Sequence, residues 1–218
     1  MQRIVMTALL AGALAGLAVF VLHMWQTTPL ILHAEVFESG EAAAPNAATQ
    51  EHQQAVDFTR HAYSLLADVI TAIGFSFLLV GAMAISGRHI DWQNGIVWGL
   101  CGFAALFIAP ALGSPPELPG MVAAELGERQ AWWLGTAMFA SVALALIFFA
   151  PGALSKALAA LLLIAPHAYG APHPVMEAGN VPAELAAQFA VTSLVVNGLF
   201  WMVLGGLAGY FYDRFEPA

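Results

Sequence analysis

The sequence predicts an all-α integral membrane protein of about six transmembrane helices, arranged as three helical hairpins with both termini cytoplasmic. Three observations predict it. Apolar residues make up 60% of the 218 residues and charged residues 9%; a soluble domain carries roughly 25% charged residues to cover its surface. Six stretches reach or approach the roughly 20 apolar residues that cross a hydrocarbon core about 30 Å thick. The six Lys and Arg residues sort by side once those stretches are threaded. The length suits one polytopic domain, residues 1–218, with an outer loop at about residues 26–60. A net charge of −8 argues against a nucleic-acid partner and leaves the lipid bilayer as the main surroundings. Cys101 stands alone, so no intrachain disulfide can form.

The first stretch, residues 4–24, is longer than the roughly 7–15 residues of a signal-peptide core, which favours a retained anchor. Gly12 and Gly16 form a GxxxG within it and predict close helix contact in lipid. The second, third and fourth stretches are residues 63–85, 95–112 and 131–150. The fifth, residues 153–169, is short and contains Pro166, so spanning and re-entrant readings both stand. The sixth is residues 187–210. With the N-terminus inside, Arg3, Arg88, Lys156 and Arg214 fall inside, and Arg60 and Arg129 outside. This agrees with the positive-inside rule, whereas dropping the fifth span would put Arg214 outside.

On the same map, most acids and six of seven histidines lie at the outer side: His23, His33, His52, His61, His167 and His173. His89, Asp91, Asp213 and Glu216 lie inside, and Asp68 lies within the second span. The chain also repeats itself. Ile108-Ala109-Pro110 ends the third span and Ala124-Glu125-Leu126 precedes the fourth. Ile164-Ala165-Pro166 ends the fifth and Ala183-Glu184-Leu185 precedes the sixth. Pro29 with Ala34-Glu35 echoes this in the first hairpin. Parallel repeats are one way to build transporters, with sites at the repeat interface.

Several constellations could carry chemistry. Asp57, His61, Ser64, Asp68 and Thr71 are spaced four, three, four and three, which places them on one helix face. An ionisable residue inside a span is costly, so Asp68 should face the bundle or a wet cavity. The blander alternatives are a helix–helix hydrogen bond or an ion pair with Arg60. His167 and His173 each follow a proline that fixes the backbone; imidazoles and carboxylates together suit first-row divalent metals. Glu117 is set among Pro115, Pro116 and Pro119, and Glu184 opens the sixth helix. His33, Glu35 and Glu38 follow the first span, although His33 and Glu35, two apart, do not share a helix face. The expected metal ligands are therefore His167, His173, Glu117, Glu184, His61, Asp68, Asp57, Glu35 and His33. Each also has a structural reading, as a rigid turn, a solvated acid or a helix–helix contact. Glu125 and Arg129 are expected to form a surface ion pair, Trp132 and Trp133 to sit at the interface, Asn197 to bond between helices, and Cys101 to pack in the core. No Walker A, HExxH or GxSxG motif is present, so an enzyme is not expected and no covalently bound cofactor is implied.

These motifs resemble the CbtA family of predicted cobalt transporter subunits. The resemblance covers nearly the whole chain. It rests on Pro29-Leu30-Ile31-Leu32-His33-Ala34-Glu35, on Ser114-Pro115-Pro116-Glu117-Leu118-Pro119-Gly120, and on the Pro166–His167 and Pro172–His173 segment with Pro182-Ala183-Glu184. It implies a bacterial inner (plasma) membrane protein, cobalt uptake with a link to cobalamin supply, and a small single-span CbtB-like partner subunit; nickel stands second to cobalt as the expected transported ion. Where relatives are expected to carry Glu, this chain has His33. A second reading from the residues alone is a non-transporting scaffold or sensor that binds a partner protein.

Overall fold

The computed structural model describes residues 1–38, 58–174 and 179–216, and every regular element among them is helical. Helix α1 (Gln2–Leu22) continues through a π-helical turn (His23–Thr27) into α2 (Thr28–Glu38). Helix α3 (Phe58–Ser86) returns antiparallel to it. Helix α4 (Trp92–Phe103) passes through a second π-helical turn (Ala104–Ile108) into the short α5 (Ala109–Ala111). Helices α6 (Leu126–Phe149), α7 (Ala153–Tyr169) and α8 (Ala183–Arg214) complete the chain.

Five of these runs are long and apolar enough to cross a membrane: Gln2–Phe37, Phe58–Ser86, Trp92–Ala111, Leu126–Phe149 and Ala183–Arg214. The protein is thus a multi-pass helical membrane protein. Helix α7 has 17 residues; at 1.5 Å per residue it spans about 25 Å, slightly less than the hydrocarbon core. Pro166 does not break α7, which continues to Tyr169. The helix stops at Gly170, whose φ of 99° is open to a residue without Cβ. The Gly170 N–H bonds the Pro166 carbonyl at 3.0 Å.

Both π-helical turns start six residues before a proline, His23 before Pro29 and Ala104 before Pro110. Proline brings no N–H, and its ring crowds the carbonyl four residues earlier; a widened turn absorbs both faults. The first and second hairpins therefore share a backbone device as well as a motif. The third repeat does not: Pro166 lies in a regular helix, and α7 packs on α6 instead of forming the expected hairpin with α8.

The core forms where α1, α3 and α8 meet. Ala8, Ala11, Ala15 and Val19 of α1 pack with Ala72, Leu79, Val80 and Met83 of α3 and with Val196, Phe200, Trp201, Leu204 and Ala208 of α8. The GxxxG of α1 makes the expected close contact: a methyl group on Gly12 would meet the Cα of Ile73, and one on Gly16 the Cα of Val69. A second close contact, on two further GxxxG pairs, joins α4 to α8. A methyl group on Gly95 would run into the Gly205 carbonyl, one on Gly99 into the Trp201 carbonyl, and one on Gly209 into the Asp91 carbonyl. Small residues let backbones approach, which is how helices gain van der Waals contact when lipid removes the hydrophobic drive. The α6–α7 pair is looser. It leans on α4 and its π turn through Ala105, Ala109 and Ala140, and within α7 only Ala159 is buried.

The ends of the bundle divide the basic residues as the threading predicts. At one end Arg3 donates to the Tyr212 carbonyl at 2.7 Å, Arg88 to the Phe148 carbonyl at 3.2 Å, and Lys156 to the Ala150 carbonyl at 2.8 Å. Arg214 closes α8 at that same end. Arg60 and Arg129 lie at the other end, beside a small apolar cluster of Ala34, Leu118 and Leu185.

Two contacts differ from expectation. Arg129 pairs with Glu117, not Glu125; the proline-fixed loop lays Glu117 over the first turn of α6, while Glu125 is spent on capping that helix. Asn197 bonds within its own helix, donating to the Ser193 carbonyl at 3.0 Å. Trp132 is buried, donating its indole N–H to the Pro110 carbonyl at 3.1 Å, and Trp133 beside it is exposed. Cys101 is half-buried in α4.

Candidate functional site

Between the ends of α1, α3, α5, α6 and α8 lies a cavity of ≈ 550 Å³ on the Arg60 and Arg129 side of the bundle. Its polar wall comprises His23, Thr27, Thr28, Ser64, Asp68, Ser114, Ser193 and Asn197, and Met24 adds a thioether. Asp68 stands ten residues into α3, about 15 Å along the helix axis. This carboxylate faces His23. The imidazole Nδ1 lies 3.1 Å from both Asp68 oxygens, within hydrogen-bonding distance of each. The side chains are 29% and 17% exposed, which leaves the pair reachable from the cavity.

Helix geometry produces this meeting. Gly12, Gly16, Val19 and His23 recur at helical spacing on the α1 face that packs on α3. Side chains lean toward the N-terminus of their own helix. In an antiparallel pair, His23 and Asp68 therefore lean toward each other. The π-helical turn that begins at His23 is a feature often found at functional positions.

The remaining expected ligands are distributed around this end. Glu35 forms a two-pronged ion pair with Arg60, and Glu117 pairs with Arg129. A second cavity, ≈ 490 Å³, lies beside Glu117 and Arg129. His167, in the last turn of α7, stands edge-on to Trp132 with ring centroids 5.6 Å apart. His173 is exposed in the following loop, Glu184 is exposed in the first turn of α8, and His33 is exposed against the Phe37 ring. His61 is half-buried on α3. Asp57 lies outside the described residues, and nothing is described of the Glu38 side chain. The polar stripe of α3 enters the cavity at Ser64 and Asp68, whereas Thr71 is exposed and does not line it. Among the described residues, the one group of three or more ligating side chains with mutually close ligand atoms is His89, Asp213 and Glu216, at the opposite end.

Glu125 accepts from the Glu128 N–H at 2.9 Å. The backbone N–H groups of Gly127 and Glu128 hold its carboxyl below the ordinary carboxylate range.

His23 is the residue the sequence placed at the outer boundary without assigning it to the site. Its helical spacing from Gly12 and Gly16 was the available signal.

The fold and cavity define a class: a polytopic helical membrane protein with an ionisable pair at the wall of a cavity within its bundle. The chain belongs to the CbtA family, described as probable cobalt transporter subunit, whose model matches residues 1–213. No curated protein and no solved structure matches the chain.

Proposed function

We propose that this chain is the membrane subunit of a divalent-metal uptake transporter, with cobalt first and nickel second as cargo. The ion is captured at the cavity end, which faces outward, and loads at His23 and Asp68. One observation carries the reading: Asp68, inside a membrane helix, is partnered by an imidazole rather than by a permanent cation. An arginine would neutralise it for good. An imidazole can exchange its Nδ1 proton for a metal. On entry the Nδ1 lone pair and a carboxylate oxygen become ligands, and Nδ1 gives up its proton: a neutral imidazole shifts it to Nε2, and an imidazolium releases it to water. Nitrogen and oxygen donors, with hydroxyls and the Met24 thioether nearby, suit Co²⁺ and Ni²⁺ better than Mg²⁺ or Ca²⁺.

His167, His173, Glu184, His33 and His61 would assist capture around the cavity end. Glu35 and Glu117 are engaged by guanidinium groups, so capture through them requires the ion to displace an arginine. The partner on this reading is a small single-span CbtB-like subunit, in a bacterial inner membrane.

The test is cobalt accumulation in cells expressing the chain with its partner. Asp68→Asn at equal membrane abundance is expected to lower accumulation about tenfold or more, since even outer-shell partners of metal ligands are worth 10–100-fold. His23→Gln is expected to act in the same direction. Unchanged accumulation in Asp68→Asn sinks the loading site. A purified chain that retains a stable partner yet binds no Co²⁺ favours the scaffold reading instead.

A further inference from the structure

We propose that His89, Asp213 and Glu216 form a second divalent-metal site, at the end of the bundle opposite the cavity. It would take a first-row divalent cation on one imidazole nitrogen and two carboxylate oxygens. Binding here needs nothing from the transport reading; its role as the station from which the ion is released rests on that reading.

The local fold brings the three together. Helix α3 ends at Ser86, and Gly87, with φ of 64°, reverses the chain. His89 follows, and Asp91 then caps α4 by accepting from the Asn94 N–H at 2.8 Å. The close backbone contact of Gly209 with the Asp91 carbonyl pins this turn against the last turns of α8. Asp213 sits in the last turn of α8, and Glu216 lies just beyond it, its N–H bonded to the Asp213 carbonyl at 3.1 Å.

The ligand atoms of the three side chains lie within 4.8 Å of one another. Bound to one ion at about 2.1 Å, such atoms stand at most about 4.2 Å apart. All three side chains are exposed, so a small rotamer adjustment closes the set. His89 already stands between the carboxylates, with Nε2 at 3.7 Å from Asp213 and Nδ1 at 3.7 Å from Glu216 Oε2. The C-terminal end of α8 adds a partial negative charge.

Nearby cations leave the site open. Arg88 is directed elsewhere, to the Phe148 carbonyl and over the Phe149 ring. Arg3 lies over the Tyr212 ring and reaches Glu216, but through Oε1 at 3.5 Å, which leaves Oε2 toward His89. One imidazole with two carboxylates is a donor set for Mn²⁺ through Zn²⁺, including Co²⁺.

The experiment uses the full chain purified in detergent and carrying His23→Gln and Asp68→Asn, so that the cavity pair is removed. Co²⁺ is titrated and followed by its visible absorption, with Mn²⁺ electron paramagnetic resonance as a second probe. The expected result is saturable binding that weakens about tenfold or more on adding His89→Ala, and likewise on adding Glu216→Gln. Arg3→Gln is expected to tighten it, because a competing cation is removed; a merely structural cluster would loosen instead. No saturable binding in the cavity-less background, or binding indifferent to His89→Ala and Glu216→Gln, overturns the site. Either result leaves the role of Asp68 standing. Conversely, uptake that ignores Asp68 overturns the loading site and leaves this binding result intact.

Discussion

The two ends of the bundle hold their carboxylates in opposite ways. At the cavity end the half-buried acids are held by partners from other elements: Glu35 by Arg60, Glu117 by Arg129, and Asp68 by His23. At the other end Asp213 and Glu216 are exposed and loosely met by His89, with a single arginine at one Glu216 oxygen. A half-buried charge left alone is costly, so the cavity end needs fixed partners. An exposed charge does not, and can await a ligand. Within the cavity end the difference is sharper still. Among the described residues, two of the three half-buried acids at this end face a permanent cation and the third faces an imidazole. That separates the acids that hold the fold from the acid that can do work.

Variants can break or sharpen this contrast. The largest expected effect is on transport. Asp68→Asn should lower cobalt accumulation about tenfold or more, whereas Glu128→Gln, at an exposed acid of the same end, should leave it unchanged; equal losses from both would erase the distinction.

Next comes a stability effect at the arginine clamps. Glu35→Gln leaves the Arg60 guanidinium half-buried without its carboxylate. A loss of about 1–2 kcal/mol is expected, discounted from fully buried pairs because both groups are partly solvated. Adding Arg60→Met should recover most of it. Thermal denaturation in detergent reads both variants, and a double variant no better than the single would show that the clamp is not the reason.

Smaller again is Trp132→Phe, which keeps the ring but removes the N–H donated to the Pro110 carbonyl. About 1 kcal/mol is expected, read in the same melting experiment, with cobalt accumulation near normal. The smallest effect is pH-dependent. The folded-state carboxyl of Glu125 lies below its ordinary range. Its contribution is therefore complete above that range and is lost as pH falls through the lowered value. Melting temperatures of Glu125→Gln and the parent chain should converge at acid pH and separate above it; a constant gap would contradict the cap.

Much of the architecture was legible in the sequence, and the reasons are specific. Hydropathy locates helices because lipid must be met by apolar side chains and satisfied backbone. The six basic residues sorted correctly between the two ends. The contact at Gly12 and Gly16 was readable from spacing alone. The same spacing in Gly95 and Gly99, and in Gly205 and Gly209, carried the α4–α8 contact without being singled out. The π-helical turns were not legible, because the helical pattern runs on unbroken across them and only the backbone widens. Nor was the choice of partner for Arg129: Glu125 is the nearer acid along the helix, but the loop with Pro115, Pro116 and Pro119 brings Glu117 over it. Of the polar stripe of α3, Ser64 and Asp68 line the cavity, His61 and Thr71 do not, and Asp57 lies outside the described residues. His23 became a site residue only once the lean of the two antiparallel helices was known.

The most direct measurement of the central claim is X-ray absorption at the cobalt edge, on the purified chain loaded with one equivalent of Co²⁺ in a His89→Ala background. The account predicts an imidazole and carboxylate signature at about 2.1 Å that disappears on adding His23→Gln. A signature unchanged by His23→Gln would contradict it, placing the ion away from the His23–Asp68 pair.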